Sequence, residues 1–349
     1  MAIYRGSSPF FDRVATTVTD FMGKYLVQFF ENMDFLLLFT FLVGIFFSNM
    51  VFLRVANRSI IAADINATDE LQRAKKQHHR SFRIMQLKDE HRVGIFLLAA
   101  LNLTLLIVNT LDIYWVWFNF KWNGSYLKQF VHEGTYLLLL SILCSIIIVL
   151  FYFRGNLNFY NRNSLLRKLS YIWLAQNAVL TISVAIRNLH YIDHFALAYK
   201  RVGLCLFLLL TLFGLFTVYR KVSKKKSTFY LLRSNAFAFY VVLIVSSTIN
   251  WENVIARYNF SHADKAFVEL AYLATFPDKS LPYLDKSDAE IIAIKNIQKV
   301  KYPFEELDMS AEEYSRKIEN RRRIFIRGYE SKNILSWNWP EYSAYQKMR

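Results

Sequence analysis

Six apolar runs, each near the length needed to cross a bilayer and none with a charge near its middle, dictate what this chain folds into. They occupy residues 35–53, 93–118, 134–153, 169–186, 202–219 and 235–251. A helix crossing about 30 Å of hydrocarbon needs roughly 20 apolar residues, and a central charge costs about 2.5–3.5 kcal/mol. Backbone groups in lipid must be satisfied within their own segment, so the runs predict helices. The expected fold is an all-α, polytopic membrane protein with six spans. Composition agrees, because 54 % of the 349 residues are hydrophobic and they are blocked rather than spread. The first run begins only at Phe35, after a polar and charged N-terminal segment, and so reads as an uncleaved span.

A net charge of +16 invites a nucleic-acid reading until the charges are located. Of 43 Lys and Arg, nine lie in 54–92, four in 154–168 and six in 220–233; the alternate loops, 119–133 and 187–201, hold two and three. Another 16 follow Asn250, where 15 acids nearly cancel them. A nucleic-acid footprint would be compact; this distribution follows the positive-inside rule instead. It predicts three cytoplasmic loops and both termini outside, with no nucleic-acid partner. Cys144 and Cys205 both sit inside apolar runs and read as small core residues, not a disulfide framework.

Three segments flank or interrupt the 35–251 bundle. Residues 1–34 carry Phe10, Phe11, Val14, Val18, Phe21, Met22, Tyr25 and Phe29 at helical spacing, which predicts an amphipathic helix in the membrane interface or packed on the bundle. The basic loop 54–92, with Arg73, Lys75, Lys76 and Arg80 at its centre, is expected to fix topology or to dock a soluble partner or anionic lipid. The tail 252–349 is polar, with helical patterning at 286–300 and 310–327, and Ser310 is expected to cap the second helix. It predicts a helical domain outside the membrane and a surface for protein partners.

Polar residues inside spans face protein or a cavity, because lipid offers them nothing. Asn102, Asn109 and Asp112 share one face of the second run, and Ser170, Asn177, Thr181 and Asn188 one stripe of the fourth. Such stripes are interhelical glue or the wall of a site. In the expected orientation Asp112, His132, Glu133, Arg187, Asn188, His190, Tyr199, Lys200, Arg201, Asn250 and Trp251 gather at the outer ends of the spans. Such a cluster either pairs its own charges, Asp112 or Glu133 with Arg187 or Arg201, or holds the headgroup or carboxylate of a ligand.

Chemistry is hard to find. His190 and His194 stand four apart, but H-E-x-x-H is absent and no third ligand suggests itself, so no metal or other cofactor is expected. G-x-S-x-G, P-loop and G-x-G-x-x-G signatures are missing too. His132 and Glu133 as acid and base would make the chain a membrane transferase, the third reading after a non-enzymatic accessory subunit or sensor and a transporter or lipid-handling permease.

One resemblance adds to this. The segments Asp112-Ile-Tyr-Trp-Val-Trp117, Phe130-Val-His-Glu-Gly-Thr-Tyr136, Arg154-Gly-Asn-Leu-Asn-Phe159, Arg187–Tyr191, Tyr199-Lys-Arg-Val-Gly203, Asn250-Trp251, Ala256-Arg-Tyr-Asn259 and Tyr272–Pro282 follow one another in order. Over roughly Asp112 to Leu284 the chain resembles a family of bacterial multi-pass inner-membrane proteins known only as a domain of unknown function. The resemblance implies the bacterial cytoplasmic membrane and no defined activity. The chain departs from it at Ala196-Leu197-Ala198, where relatives carry Gly-Leu-Thr, and relatives place more spans ahead of the shared core, which marks the N-terminal third as specialised.

Overall fold

In the computed structural model, the residues described are a few positions between 40 and 48, then 67–73, 87–119, 124–303, 305, 309–332 and 336–349. The amphipathic segment 1–34, most of the run 35–53 and the centre of the basic loop lie outside them. Five long helices follow one another: α1 Leu87–Asp112, α2 Gly124–Tyr152, α3 Ser164–Phe195, α4 Tyr199–Lys224 and α5 Thr228–Thr248. Beyond Asp112, α1 continues as a π-helical stretch over Ile113–Phe118, which nothing in the sequence signals. Among the described residues four helices are long and apolar enough to cross a membrane, 88–118, 164–195, 199–224 and 228–248, and α2 adds a shorter apolar stretch, Leu138–Tyr152. The chain is an all-α membrane protein.

The helices overrun the hydropathy signal where polar residues are buried by neighbours. α3 extends well past 169–186 at both ends because it is the central helix, packed against α1, α2 and α4. α5 lies at the periphery, packed on α4; its most apolar 18-residue window is 6 % buried, against 44 % for α3. The bundle is apolar outside and holds its polar side chains within. Phe96, Leu103, Ile107, Leu232, Phe237 and Tyr240 are exposed, while Asn102, Asn109, Ser170, Asn177 and Thr181 are buried. In water this would be untenable; in lipid it is the expected arrangement. Leu98, Ile142, Val149, Phe153, Leu166, Trp173 and Leu180 fill the space between the helices. Gly94 permits the closest approach, since a Cβ there would lie 2.9 Å from the Tyr152 ring and 3.2 Å from Leu166.

The described parts of the three basic loops meet at one end of the bundle. The segment around Glu70 pairs with the α4–α5 turn, Leu71 N–H donating to Lys225 O at 2.8 Å and Ser227 N–H to Asp69 O at 2.9 Å. Arg233 and Lys226 add ion pairs to Asp69 and Glu70 at 2.8 and 3.7 Å. From the α2–α3 loop, Phe159 lies under Lys225 at 5.0 Å and Tyr160 against His91 at 4.9 Å. The tail packs at the α3–α4 and α5–α6 connections.

That tail comprises α6 Trp251–Ser261, the single turns α7 Leu270–Leu273 and α8 Leu281–Leu284, then α9 Asp288–Lys301, α10 Ala311–Glu330 and α11 Trp339–Met348. Its helices start where side chains satisfy their first amides. Ser287 and Glu290 form a capping box on α9, and Ser310 and Asn338 accept from the third residue of α10 and α11. Helices expected at 286–300 and 310–327 are α9 and α10, and Ser310 is the cap. Ile255, Leu273, Phe276, Leu281, Leu284, Ile291, Tyr314 and Ile318 form a core shared with Ala196 from the α3–α4 connection.

Candidate functional site

The inner faces of α1 and α3 are joined rung by rung. Asn102 Nδ2 donates to Leu169 O at 3.1 Å, Gln176 Nε2 to Asn102 Oδ1 at 2.9 Å, and Asn109 Nδ2 to Gln176 O at 3.0 Å. One turn on, Asp112 accepts from Arg187 on one carboxylate oxygen and from Ser183 on the other. Ser183 Oγ also accepts from Trp117 Nε1 at 3.1 Å, and His190 Nε2 meets Val116 O at 3.0 Å. The π stretch places Val116 and Trp117 within reach of α3, since a wider turn leaves a carbonyl free of its usual i+4 partner. The Asp112 and Arg187 side chains are 7 % and 8 % exposed. Buried charges of this kind are tolerated because they are paired and hydrogen-bonded. The amide oxygens of Asn109, Gln176 and Asn177 are buried and accept nothing among the described residues.

At the end of α3 the chain turns through Ala196, whose φ of 59° and ψ of −165° suit glycine. Arg201 folds back from the first turn of α4 and donates to the carbonyls of Phe195 (2.6 Å) and Ala196, placing its charge on the negative end of the α3 dipole. Its guanidinium also lies 4.7 Å from the Tyr191 ring. Asn188 Nδ2 donates to Arg201 O and reaches Cys205 Sγ, both at 3.1 Å. Arg201 is thus spent on the helix terminus and does not join the Asp112 pair.

The tail is fastened to this same corner. Asn259, buried on α6, pairs with both backbone groups of Leu197: Leu197 N–H donates to its Oδ1 at 2.8 Å and its Nδ2 donates to Leu197 O at 3.0 Å. Phe267 N–H donates to His194 O at 2.6 Å, and His194 Nε2 stands 3.8 Å from Glu305. The Tyr199 amide donates to the Tyr272 hydroxyl at 3.2 Å. Inside the tail, Arg321 binds the Ala274 carbonyl at 3.0 Å, the Phe276 carbonyl at 2.5 Å and Asp278 Oδ1 at 2.5 Å, tying down the segment 272–282.

A family model described as Domain of unknown function (DUF4153) matches residues 12–287. The chain belongs to the DUF4153 family. The match begins far ahead of the motif-bearing stretch from Asp112, so the N-terminal third is part of the DUF4153 domain, not an addition to it. Helices α9 to α11 lie beyond the match. No curated protein and no solved structure matches the chain.

Within this DUF4153 chain the expected outer cluster divides into separate arrangements. Asp112 and Arg187 are brought together; Asn188 and Arg201 meet through backbone; His190 serves the α1–α3 seam. Tyr199 belongs to the tail contact, where its hydroxyl and Lys279, 3.1 Å away, face Glu252. Burial pushes the Glu252 carboxyl up, but the backbone, Tyr199 and Lys279 bonds prevail and hold it below the usual carboxylate range. Burial raises the Tyr272 hydroxyl, so it stays a neutral donor and acceptor. Lys200 is exposed. The sixth apolar run stops early: α5 ends at Thr248, Asn250 caps α6, and Trp251 Nε1 donates back to Ser246 O at 3.0 Å. The side chains of His132 and Glu133 lie outside those described. Sequence reasoning missed Asn259, Glu252, Tyr272 and Arg321 as linchpins, although three of the four lie in or beside the segments that carried the family resemblance.

Proposed function

We propose that this DUF4153 chain is a non-catalytic integral component of the bacterial cytoplasmic membrane, an accessory subunit or sensor whose tail works outside the cell membrane and whose basic loops face the cytoplasm. The fastening of the tail to the bundle carries the reading: the bidentate Asn259–Leu197 contact joins α6 to the hairpin between two spans. A partner or signal acting on the tail is therefore mechanically connected to α3 and α4. The grouping of the described parts of the three basic loops at one end, with the tail on the connections α3–α4 and α5–α6, supports the orientation through the positive-inside rule. The Asp112–Arg187 pair, spent on each other and on Ser183, favours a clamp over a ligand site.

Two measurements test it. Cysteines introduced at Lys224 and Gln346, in a background without Cys144 and Cys205, are labelled in intact cells by a membrane-impermeant maleimide. Labelling at 346 and protection at 224 is expected; the reverse overturns the orientation. Purification of the full chain in mild detergent, read by native mass, is expected to give a stoichiometric protein partner. A lone protein that drives solute uptake in liposomes, or a turnover lost in His132→Ala, replaces this function with transport or transfer.

A further inference from the structure

Where α5 gives way to α6, an open cleft of about 260 Å³ lies between that elbow and α11. Thr248, Asn250 and Asn253 form its elbow side, Lys279 and Tyr283 come from the segment before α9, and Trp339 and Lys347 from α11. Its character is basic. No carboxylate lines it among the described residues. Lys279 has Glu252 behind it at 3.1 Å. Lys347 Nζ donates to the Tyr283 hydroxyl at 2.7 Å, and among the described residues no carboxylate lies within ion-pair distance of it. The cleft therefore offers two ammonium groups to an anion.

Its position says where that ligand comes from. Thr248 is the last residue of a helix long and apolar enough to cross the membrane. Beside the cleft, Trp337 and Trp339 are 52 % and 66 % exposed, and with Tyr342 they form an aromatic patch with ring centres 5.8–6.5 Å apart. Exposed Trp and Tyr at the end of a span belong at the headgroup level of a bilayer. At about 30 Å³ for each water-sized group, the cleft takes a phosphate-bearing headgroup and leaves the acyl chains outside.

We infer that the α5–α6 elbow and α11 bind the headgroup of an anionic phospholipid, with Lys279 and Lys347 on the phosphate. This depends on the membrane placement of α5 and not on the orientation or the partner role proposed above. Because α11 lies beyond the family match, the lipid bridges the DUF4153 domain and the C-terminal extension.

The test is native mass spectrometry of the full-length protein in detergent with equal phosphatidylglycerol, which is anionic, and phosphatidylcholine, which is zwitterionic. One phosphatidylglycerol is expected to be retained in preference. Lys347→Glu, on the exposed last turn of α11, is expected to lower that retention by about fivefold or more, at roughly 1 kcal/mol for each lysine near a lipid surface; Lys347→Arg retains it. Thermal unfolding of the Lys347 variants controls for folding. Equal retention of phosphatidylglycerol and phosphatidylcholine, or unchanged retention in Lys347→Glu, overturns the site. Displacement of the lipid by glycerol 3-phosphate at matched concentration makes the ligand a soluble phosphate ester and overturns the lipid assignment.

Discussion

Asp112 is gripped from two positions one turn apart on α3, Arg187 donating to one carboxylate oxygen and Ser183 to the other. Removing either charge strands its buried partner, which costs about 3–5 kcal/mol. Arg187→Ala and Asp112→Ala are each expected to destabilise the detergent-solubilised protein by that order. The double variant is expected to fall far short of the sum, because no unpaired charge is left behind. A double-mutant cycle on unfolding midpoints measures the difference. Additive losses would mean that the pair is not coupled.

Much of this seam was legible in the sequence. Asn102, Asn109 and Asp112 recur at +7 and +3, Ser170, Asn177, Thr181 and Asn188 recur along α3, and both stripes are buried against neighbours. Helix periodicity is local and survives without a partner helix to define it. What was not legible depends on contacts between segments far apart in the chain. Depth at the membrane edge placed Arg201 beside Arg187, but the carbonyls at the end of α3 compete for its guanidinium and win by proximity. Asn250 and Trp251 were read as the end of a span, where a cap and a tryptophan bond instead turn the chain into a new helix. The segment 272–282 shows no periodicity at all; it is held by Arg321, some forty residues on.

Ala196 occupies a conformation in which a Cβ is strained. Such strain costs about 1–3 kcal/mol. Against it stand the loss of one buried methyl, about 0.8 kcal/mol, and the freer unfolded chain of glycine, about 0.4–1 kcal/mol. The terms nearly balance, so Ala196→Gly is expected to leave the unfolding midpoint unchanged or slightly raised. Ala196→Val, adding branched bulk at a fully buried positive φ, is expected to lose 2 kcal/mol or more. A loss in the glycine variant as large as in the valine variant would show that Ala196 is unstrained.

The Asn259 amide replaces the backbone partners that Leu197 would have in a helix. Asn259→Ala leaves a part-buried N–H and C=O without them, at up to about 1–3 kcal/mol each. Because the contact is local to the corner between tail and bundle, the expected signature is local opening. Amide exchange at 196–199 and along α6 is expected to quicken, while α1 and α3 keep their protection. Uniform acceleration throughout the chain would argue against a discrete joint.

Glu252 gives the tail contact a pH dependence of definite sign. Its folded pKa is depressed, because its backbone, Tyr199 and Lys279 bonds to the charged form outweigh the burial that opposes it. A depressed carboxylate contributes stability that is fully present above its unfolded pKa, near 4.3. That contribution is lost as the pH falls through the lower, folded value. Glu290 and Glu341 shift in the same direction, so acid weakens the whole chain and the part due to Glu252 has to be isolated. Glu252→Gln supplies the control, since it cannot ionise yet keeps the shape. The gap in unfolding midpoint between the native chain and Glu252→Gln is expected to be widest near pH 7 and to close below about pH 4. A gap that stays constant from pH 7 to pH 3 would mean that the Glu252 charge plays no part in holding the tail to Tyr199 and Lys279.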